Sequence, residues 1–259
     1  MDLKNVKAIT IPQGSVKKIE DSNGNILWGS QDAFPYRRLE YIKFSGAEYI
    51  EESFNLAAKN RKMILEYTCD RFVANASLLA QWDNTASATQ RRIYIARCNN
   101  TSGQAIWYMG GKYGVYDNMS LNTKYKSTVT YTNASANTLT YDFKNASGTT
   151  LASGTLTETS TSIPTIDSKA ALGTTKLKNA DNSISYGGYW TGKLYKFEKY
   201  VASTNTLQNN QFPCQRKSDG VCGVFDTVAK IFYPMTGTAI TDSAAGPTVD
   251  EYWDLTAPD

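Results

Sequence analysis

Histidine is absent from this chain of 259 residues, and this absence removes several kinds of chemistry. Nucleophilic triads that depend on histidine, histidine general bases and histidine metal sites are all excluded. Catalysis by carboxylates remains open. The four cysteines form no CxxC pair, so we do not expect a zinc site.

The chain also lacks a large excess of either charge, and it lacks long apolar runs. The chain has 27 basic and 24 acidic residues, a net charge of +3. This balance does not indicate the strongly basic surface that binds nucleic acid. No apolar run approaches the roughly 20 residues of a membrane span. The first residues contain no apolar signal core. We therefore expect assembly in a reducing cytosol and release by another route, such as lysis.

What the chain does contain is period-two alternation of apolar and polar residues between short turns. Thr128 and Thr130 alternate with Val129 and Tyr131, and similar patterns recur along the chain. This alternation, with β-branched and aromatic residues, is typical of strands. Many short strands joined by Gly, Asn and Ser turns predict an all-β sandwich or barrel. The alternating segments 125–131 and 138–144, joined by TNASAN, predict a long hairpin.

The first 31 residues differ from the rest. Segments 14–19 and 25–28 flank Ser-Asn-Gly, a turn signal for a hairpin. Such a hairpin buries too little apolar surface to fold alone, so its apolar residues have to pack against another protein surface. We predict three parts: an N-terminal attachment module (1–31), a sandwich (32–240) and a C-terminal tail (241–259). The candidate attachment residues are Ile11, Ile19, Ile26 and Trp28.

Two sequence blocks near the ends of the sandwich carry a family resemblance. The first reads RRLEYIKFSGAEYIEESF (37–54), and the second reads FPCQRKSDGVCGVFDTVAKIF (212–232). They resemble the paired "LEYI-x-x-[ST]-G-x-[EQ]-YI" opening and "PC-x-[RK]-K-SDG-x-x-G-[LVF]-[YF]-D" close of concanavalin-like (LamG-type) β-sandwiches. That family is common in phage virion proteins and bacterial surface proteins. The resemblance implies a concanavalin-like jelly-roll sandwich.

The N-terminal phrase ITIPQGSVKKIEDSNGNILW resembles leader modules of phage tail, baseplate and fibre proteins. This resemblance implies a non-enzymatic structural protein of a phage virion: a fibre, baseplate or capsid-decorating component. Its implied partners are other virion proteins, further copies of itself, with a trimer favoured, and host-surface glycans.

Exposed aromatic side chains are the candidates for glycan binding, because an aromatic face stacks on the apolar face of a sugar ring. In a sandwich many of these side chains also have to fill the core, so both interpretations stay open for each. The candidate ligand-binding residues are Trp82, Trp107, Tyr108, Tyr189 and Trp190, with Tyr116 as a further aromatic.

Two other functional classes remain as alternatives. A glycan-active enzyme of concanavalin-like fold would need two carboxylates at a groove. Glu198 lies between lysines, and this pattern predicts a solvent-exposed face of a strand. A bacterial surface adhesin would predict a signal peptide and a wall anchor.

We predict no resident cofactor and leave a calcium site open. No Asp-x-Asp-x-Asp-Gly loop occurs, and the scattered calcium candidates are Asp83, Asp117, Asn118 and Asp181. Asp219 and Asp226 are expected to support turns, with Arg216 pairing with one of them. A tight hairpin around Ser218 would bring Cys214 and Cys222 opposite each other, which leaves a disulfide open, although a reducing cytosol favours free thiols.

Overall fold

The structure is a computed structural model that describes residues 18–20, 26–29, 35–56, 58, 60–83, 92–133, 137–158, 169–237 and 244–249. Within these residues the chain forms twenty β-strands and no α-helix. The strands are β1 (Lys18–Glu20), β2 (Ile26–Gly29), β3 (Tyr36–Arg38), β4 (Ile42–Ser45), β5 (Tyr49–Glu51), β6 (Arg61–Tyr67), β7 (Ser77–Asp83), β8 (Arg92–Cys98), β9 (Ala105–Met109), β10 (Lys112–Tyr116), β11 (Tyr125–Asn133), β12 (Asn137–Asn145), β13 (Thr150–Glu158), β14 (Ala171–Leu172), β15 (Thr174–Lys178), β16 (Ile184–Gly187), β17 (Thr191–Val201), β18 (Thr206–Arg216), β19 (Cys222–Asp226) and β20 (Ile231–Thr236).

One sheet, here called the back sheet, is antiparallel throughout. Its strands pair in the order β13-β12-β11-β6-β17-β18-β19-β20. Strand β3 pairs with β18, and β4 pairs with β17. The long hairpin predicted from alternation is confirmed as β11–β12, in which Tyr131 lies opposite Leu139.

The second sheet, here called the front sheet, pairs in the order β16-β15-β7-β8-β9-β10. Strands β15 and β7 run parallel, and the other neighbours in this row are antiparallel. Strand β14 pairs with β5 and β7. The end of β20 pairs with β5, so β20 belongs to both sheets and joins them.

The inner faces of the two sheets share one hydrophobic core. Trp107 of the front sheet is fully buried, and its ring stacks on Tyr141 of the back sheet at 4.5 Å between centroids. Its indole nitrogen donates to Ser127 Oγ at 3.0 Å. Since a buried indole N–H needs an acceptor, this bond fixes the ring between the sheets. The predicted all-β sandwich is confirmed.

Acidic residues of the two sequence blocks support turns. Glu48 is buried and accepts hydrogen bonds from Ser45 N (2.6 Å), Ser45 Oγ (2.7 Å) and Ala47 N (3.3 Å). Burial opposes its ionisation, but these bonds outweigh burial and lower the pKa of Glu48. Glu48 therefore closes the turn between β4 and β5.

The predicted turn roles in the closing block are confirmed. Asp219 receives two hydrogen bonds from Arg216 Nε and one from Arg216 Nη2 at 2.6–3.1 Å. Asp226 is buried and accepts from the backbone nitrogens of Asn210, Val228 and Ala229. Asp219 holds the Arg216 guanidinium in place, and Asp226 holds backbone nitrogens, so both have structural roles.

The two ends of the chain are described in part. Strands β1 and β2 pair antiparallel, which confirms the predicted N-terminal hairpin, with Ile19 opposite Trp28 and Glu20 opposite Ile26. Ile11 lies outside the described residues. In the tail, Ala245 and Thr248 form bridges with Ile42 and Leu39. Residues 244–249 therefore dock along the opening block.

Across the part of the chain that the structure describes, no helix is long and apolar enough to cross a membrane.

Candidate functional site

The candidate site is a groove on the outer face of the front sheet. It forms where small residues on neighbouring strands lie in register: Gly187 opposite Thr175, and Thr175 opposite Ala80. Two residues further along each strand, and so on the same face, Leu177 lies opposite Trp82. Because side chains alternate between faces along a strand, the small residues form a floor beside the larger Trp82 and Leu177.

The groove has a volume of about 320 Å³, at the lower end of the roughly 300–1,000 Å³ typical of small-molecule sites. The described residues that line it are Asn75, Trp82, Tyr94, Arg97, Thr175, Leu177, Gly187 and Gly188.

The polar wall of the groove is built from Arg97, Tyr94 and Asn75. The guanidinium carbon of Arg97 lies 4.1 Å from the centre of the Tyr94 ring. The same guanidinium donates a hydrogen bond from Nη2 to Asn75 Oδ1. A cation over an aromatic face and a hydrogen bond within its plane together restrict the rotamers of a long side chain. Arg97 is thus held in one orientation at the groove.

The backbone beneath this wall requires particular residues. Asn75 has φ of 65°, in the left-handed region that asparagine tolerates. Gly188 has φ of +61°, and a Cβ there would lie 2.2 Å from the Asn75 carbonyl oxygen. Only glycine fits at that position. The close contact between Gly188 and Asn75 therefore fixes the position of the groove floor relative to the polar wall.

The aromatic surface continues beyond the groove across three strands. Tyr94 of β8 lies opposite Tyr108 of β9, which lies opposite Tyr113 of β10. The Tyr94 and Tyr108 rings pack at 5.1 Å. Tyr94 is only 3% exposed, Tyr108 is partly exposed and Tyr113 is 63% exposed, so the open part of this row lies on β9 and β10. Two strand spacings cover roughly 10 Å. A ligand longer than the groove would have aromatic surface to contact along this row.

Of the predicted ligand-binding residues, Trp82 and Tyr108 belong to this surface. Trp82 lines the groove, and Tyr108 continues the row. Tyr189 is partly exposed and forms a backbone bridge with Ser77, next to Gly188, but is not among the lining residues.

The prediction is wrong for Trp107 and Trp190, because both rings are buried in the core. Trp190 is 1% exposed, donates from its indole nitrogen to the Thr68 carbonyl oxygen at 3.0 Å, and meets Tyr67 edge-on at 5.6 Å. Tyr116 packs against the core next to Phe143. The Trp107 and Trp190 rings have no face open to a ligand from solution, and Tyr116 is partly buried.

Sequence reasoning missed Tyr94, Arg97, Asn75, Leu177 and Tyr113. The segment RRIYIAR alternates, with Ile93 and Ile95 on one face of the strand and Tyr94 on the other. Both isoleucines are in the core. The position of Tyr94 on the opposite face from these isoleucines was the sequence feature that could have identified it. No local pattern indicated Leu177 or Asn75.

Neither Glu198, the carboxylate considered for catalysis, nor Glu52 of the opening block is among the residues that line the groove. Glu198 is 8% exposed and pairs with Lys196 at 2.7 Å, so the expectation of a solvated strand face is wrong. Glu52 is buried and accepts from Gln211 Nε2 at 2.9 Å. Burial, with a smaller contribution from the nearby charge of Asp226, raises the pKa of Glu52 to about 8.

The calcium candidates do not converge. Asp117 accepts from Gln104 at 2.5 Å, Asp181 accepts from Ser183 in an exposed turn, and Asp83 is buried at the end of β7. In the described ranges, no three His, Cys, Asp or Glu side chains come together as metal ligands.

The four cysteines are buried, and none of them forms a disulfide. In the closing hairpin, Cys214 lies opposite Gly223 and Cys222 lies opposite Gln215. The two thiols therefore point to opposite faces of the sheet, because the register is one residue away from direct pairing. Burial raises the pKa of Cys214, which keeps its thiol protonated.

A scan against models of known protein families gave no match, and a search of curated proteins gave none either.

Proposed function

We propose that this chain is a structural protein of a phage virion, and that its sandwich binds a host-surface glycan through the groove on the front sheet. The virion assignment is supported by the resemblance of the two sequence blocks and of the N-terminal phrase. The binding assignment is supported by the groove itself. Together they suit a fibre, baseplate or capsid-decorating component.

The observation that carries the proposal is an aromatic groove on an outward sheet face. Trp82 lines the groove, and the partly exposed Tyr108 and the exposed Tyr113 extend the aromatic surface across β9 and β10, whereas Tyr94 is 3% exposed and supports Arg97 from below. Aromatic faces stack on the apolar faces of sugar rings, while nearby polar groups such as Asn75 and Arg97 hydrogen-bond to hydroxyls. Tyrosine suits such surfaces because it provides a large contact area with few rotatable bonds.

Binding is favoured over hydrolysis by where the carboxylates lie. Glycosidases place two carboxyl groups about 5–10 Å apart on either side of the bond they cleave. Among the described residues that line the groove, none is acidic. Glu52 and Asp226 are 2% and 0% exposed inside the sandwich. A glycan in the groove would therefore be held rather than cleaved.

The N-terminal hairpin is the proposed attachment device. Strands β1 and β2 have three and four residues and pair with each other. A two-stranded hairpin is marginal in water. A further copy of the same segment, or a neighbouring virion protein, would cover it. Closed symmetry suits such a contact, and a trimer is the arrangement we expect of a fibre-like part.

The test is binding of the purified full chain to an array of bacterial surface glycans. We expect Trp82→Ala and Tyr108→Ala each to weaken binding roughly two- to tenfold, because each removes one stacking ring. Gly187→Leu should also weaken binding, by filling the groove. A Cβ at Gly187 meets only Leu177 Cδ1, at an ordinary contact distance of 3.6 Å, so the backbone tolerates this change.

Tyr195→Ala is the matched control, because Tyr195 is a partly exposed aromatic of the back sheet that packs edge-on to Tyr41 at 5.5 Å. It should leave glycan binding unchanged. If the three groove variants bind as the parent does and melt at the parent's temperature, the groove is not the binding site. If the parent binds no glycan, the binding role is wrong.

A further inference from the structure

We propose that this chain forms an amide bond within itself, between Lys199 Nζ and the side-chain carbonyl carbon of Asn209, with release of ammonia. Asp226 is the group that carries the proton in this reaction. The three side chains belong to a buried polar cluster that includes none of the residues lining the groove, so the inference does not depend on glycan binding.

The two reacting side chains lie on neighbouring strands of the back sheet. Lys199 of β17 is directly opposite Asn209 of β18, just as Phe197 is opposite Gln211. Residues directly opposite each other in an antiparallel pair point to the same face, with Cβ atoms about 4.5–5.5 Å apart. Phe197 belongs to the core, so Lys199 and Asn209 also point into the sandwich. The flexible stem of a lysine is long enough to bring Nζ onto the asparagine side chain.

The cluster is largely shielded from water. Lys199 is 6% exposed and Asn209 is 4% exposed. Lys199 Nζ lies 4.3 Å from the centre of the Phe54 ring, and this ring stacks on Phe197 at 5.6 Å between centroids. Side chains held together in this way react as parts of one molecule, and little water is present to compete for the amide carbon.

Lys199 can act as a nucleophile only when its amine is neutral. Burial, with a smaller contribution from the charge of Arg61, lowers the pKa of Lys199 to about 8. The charges of Glu52 and Asp226 act in the opposite direction. Roughly a tenth of such an amine is neutral at pH 7. Lowering the pKa of a lysine in apolar surroundings is a general way to activate it for covalent chemistry.

Asn209 is held with its amide nitrogen beside a carboxylate. Asn209 Nδ2 donates a hydrogen bond to Asp226 Oδ2. Asp226 Oδ1 accepts from the backbone nitrogens of Asn210, Val228 and Ala229 at 2.9–3.2 Å. These bonds fix the Asp226 carboxylate next to the nitrogen that has to leave.

Glu52 supplies a proton donor in the same cluster. Gln211 Nε2 donates to Glu52 Oε2 at 2.9 Å, and Gln211 lies on the same face of β18 as Asn209. Among the described residues, neither Glu52 Oε1 nor Asn209 Oδ1 has a hydrogen-bond partner, although both atoms are buried. Burial raises the pKa of Glu52 to about 8, so at neutral pH Glu52 keeps a proton. A donor of this kind stabilises the negative charge that develops on the amide oxygen as Lys199 adds.

The reaction balances without a further reactant. Lys199 Nζ adds to Asn209 Cγ, which forms a new carbon–nitrogen bond. Asp226 takes a proton from the added nitrogen and passes it to Asn209 Nδ2. The bond from Cγ to Nδ2 then breaks, and ammonia leaves. The product amide joins β17 to β18, and its N–H can donate to the Asp226 oxygen that previously held Asn209.

The test is the intact mass of the purified and denatured full chain, compared with the mass of its sequence with and without the first methionine. We expect the measured mass to be lower by one molecule of ammonia. Trypsin should leave residues 197–216 as one peptide, because the bonded Lys199 is no longer a cleavage site. Chymotrypsin cuts after Tyr200, and the pieces on the two sides of this cut stay joined only if the bond exists.

Lys199→Arg and Asn209→Ala should each restore the full mass of the sequence, because the first lacks the amine and the second lacks the amide. Asp226→Asn should strongly reduce the fraction of bonded chain, since an amide cannot carry the proton. Asn210→Ala is the matched control and should keep the loss of ammonia, because Asn210 is the next residue of β18 and points to the other face. Circular dichroism checks that each variant has formed the sandwich.

A parent chain with the full mass of its sequence overturns the inference. A loss of ammonia that persists in folded Lys199→Arg or Asn209→Ala also overturns it, because the ammonia then comes from elsewhere, such as a succinimide at Asn23. A loss of one molecule of water would mean that Lys199 has bonded to a carboxyl group instead. A folded Asp226→Asn variant that is bonded as completely as the parent contradicts the role given to Asp226.

Discussion

The Trp107 and Tyr141 rings lie 4.5 Å apart and are nearly parallel, with 4° between their planes. Trp107 belongs to the front sheet and Tyr141 to the back sheet, so this pair joins the two layers. Room for Tyr141 comes from glycines: a Cβ on Gly114 or Gly154 would lie 2.3 or 2.7 Å from its hydroxyl oxygen. The stack is therefore part of how the sandwich closes.

Replacing Trp107 by alanine should reduce stability strongly. Trp107→Ala removes a fully buried ring, its stack on Tyr141 and the hydrogen bond to Ser127. We expect the free energy of unfolding to fall by about 3–5 kcal/mol, measured by chemical denaturation. Trp82→Ala, on the outer face, is the comparison and should cost much less. Equal losses in the two variants would contradict the assignment of Trp107 to the core and Trp82 to the surface.

Gly220→Val should destabilise the closing hairpin through its backbone. Gly220 has φ of +72°, which a β-branched residue resists, whereas a Cβ there meets only Gln215 Nε2 at 3.7 Å. The expected loss is about 1–3 kcal/mol. Gly220→Asn is the control and should cost less, because asparagine adopts positive φ more readily. A thermal melt of the valine variant that overlays the parent's would show that backbone conformation is not limiting here.

Stability should fall as pH rises from about 5 to 7.5 because of Glu52. Burial raises its pKa from 4.5 to about 8 in the folded state. Between these values the folded chain holds a proton that the unfolded chain releases, so the stabilisation is complete below pH 4.5 and is lost by about pH 8. The expected loss between pH 5 and 7.5 is on the order of 3 kcal/mol.

Glu52→Gln should remove this dependence, since an amide does not ionise and can still accept from Gln211. Glu40→Gln, at an exposed position, is the control and should keep the parent's slope. Lys199, whose pKa burial lowers to about 8, changes stability only above this window. Denaturation series at several pH values that run parallel in the parent and in Glu52→Gln would rule out Glu52 as the cause.

A chain that starts near Ala33 should keep the sandwich and lose attachment. The hairpin of β1 and β2 makes its own sheet, so its removal should leave the melting temperature unchanged. We expect this chain to be monomeric by light scattering and missing from virions. Trp28→Ala should weaken incorporation without changing the melt. The truncated chain on purified virions at normal copy number would mean that the sandwich carries attachment.

Local patterns in the sequence were sufficient to predict particular strands and turns. Alternation over residues 125–131 and 138–144 predicted the β11–β12 hairpin, and Ser-Asn-Gly predicted the turn between β1 and β2. Asp219 and Gly220 marked the turn after β18. These features depend on neighbours within a few residues, where steric limits on φ and ψ and side-chain-to-backbone hydrogen bonds act.

The tertiary structure decided which aromatic residues are buried. Alternation places Trp107 and Tyr108 on opposite faces of β9, but both faces carry large apolar side chains, so the pattern cannot say which one meets the other sheet. Packing against Tyr141 and Ser127 buries Trp107, and Tyr108 is left outside. The groove likewise needs Trp82, Arg97 and Gly187 together, from strands far apart in the chain. Their proximity follows from the pairing of β7 with β8 and β15, and of β15 with β16. The β7–β15 pairing joins segments far apart in the chain and leaves no signal in a local window.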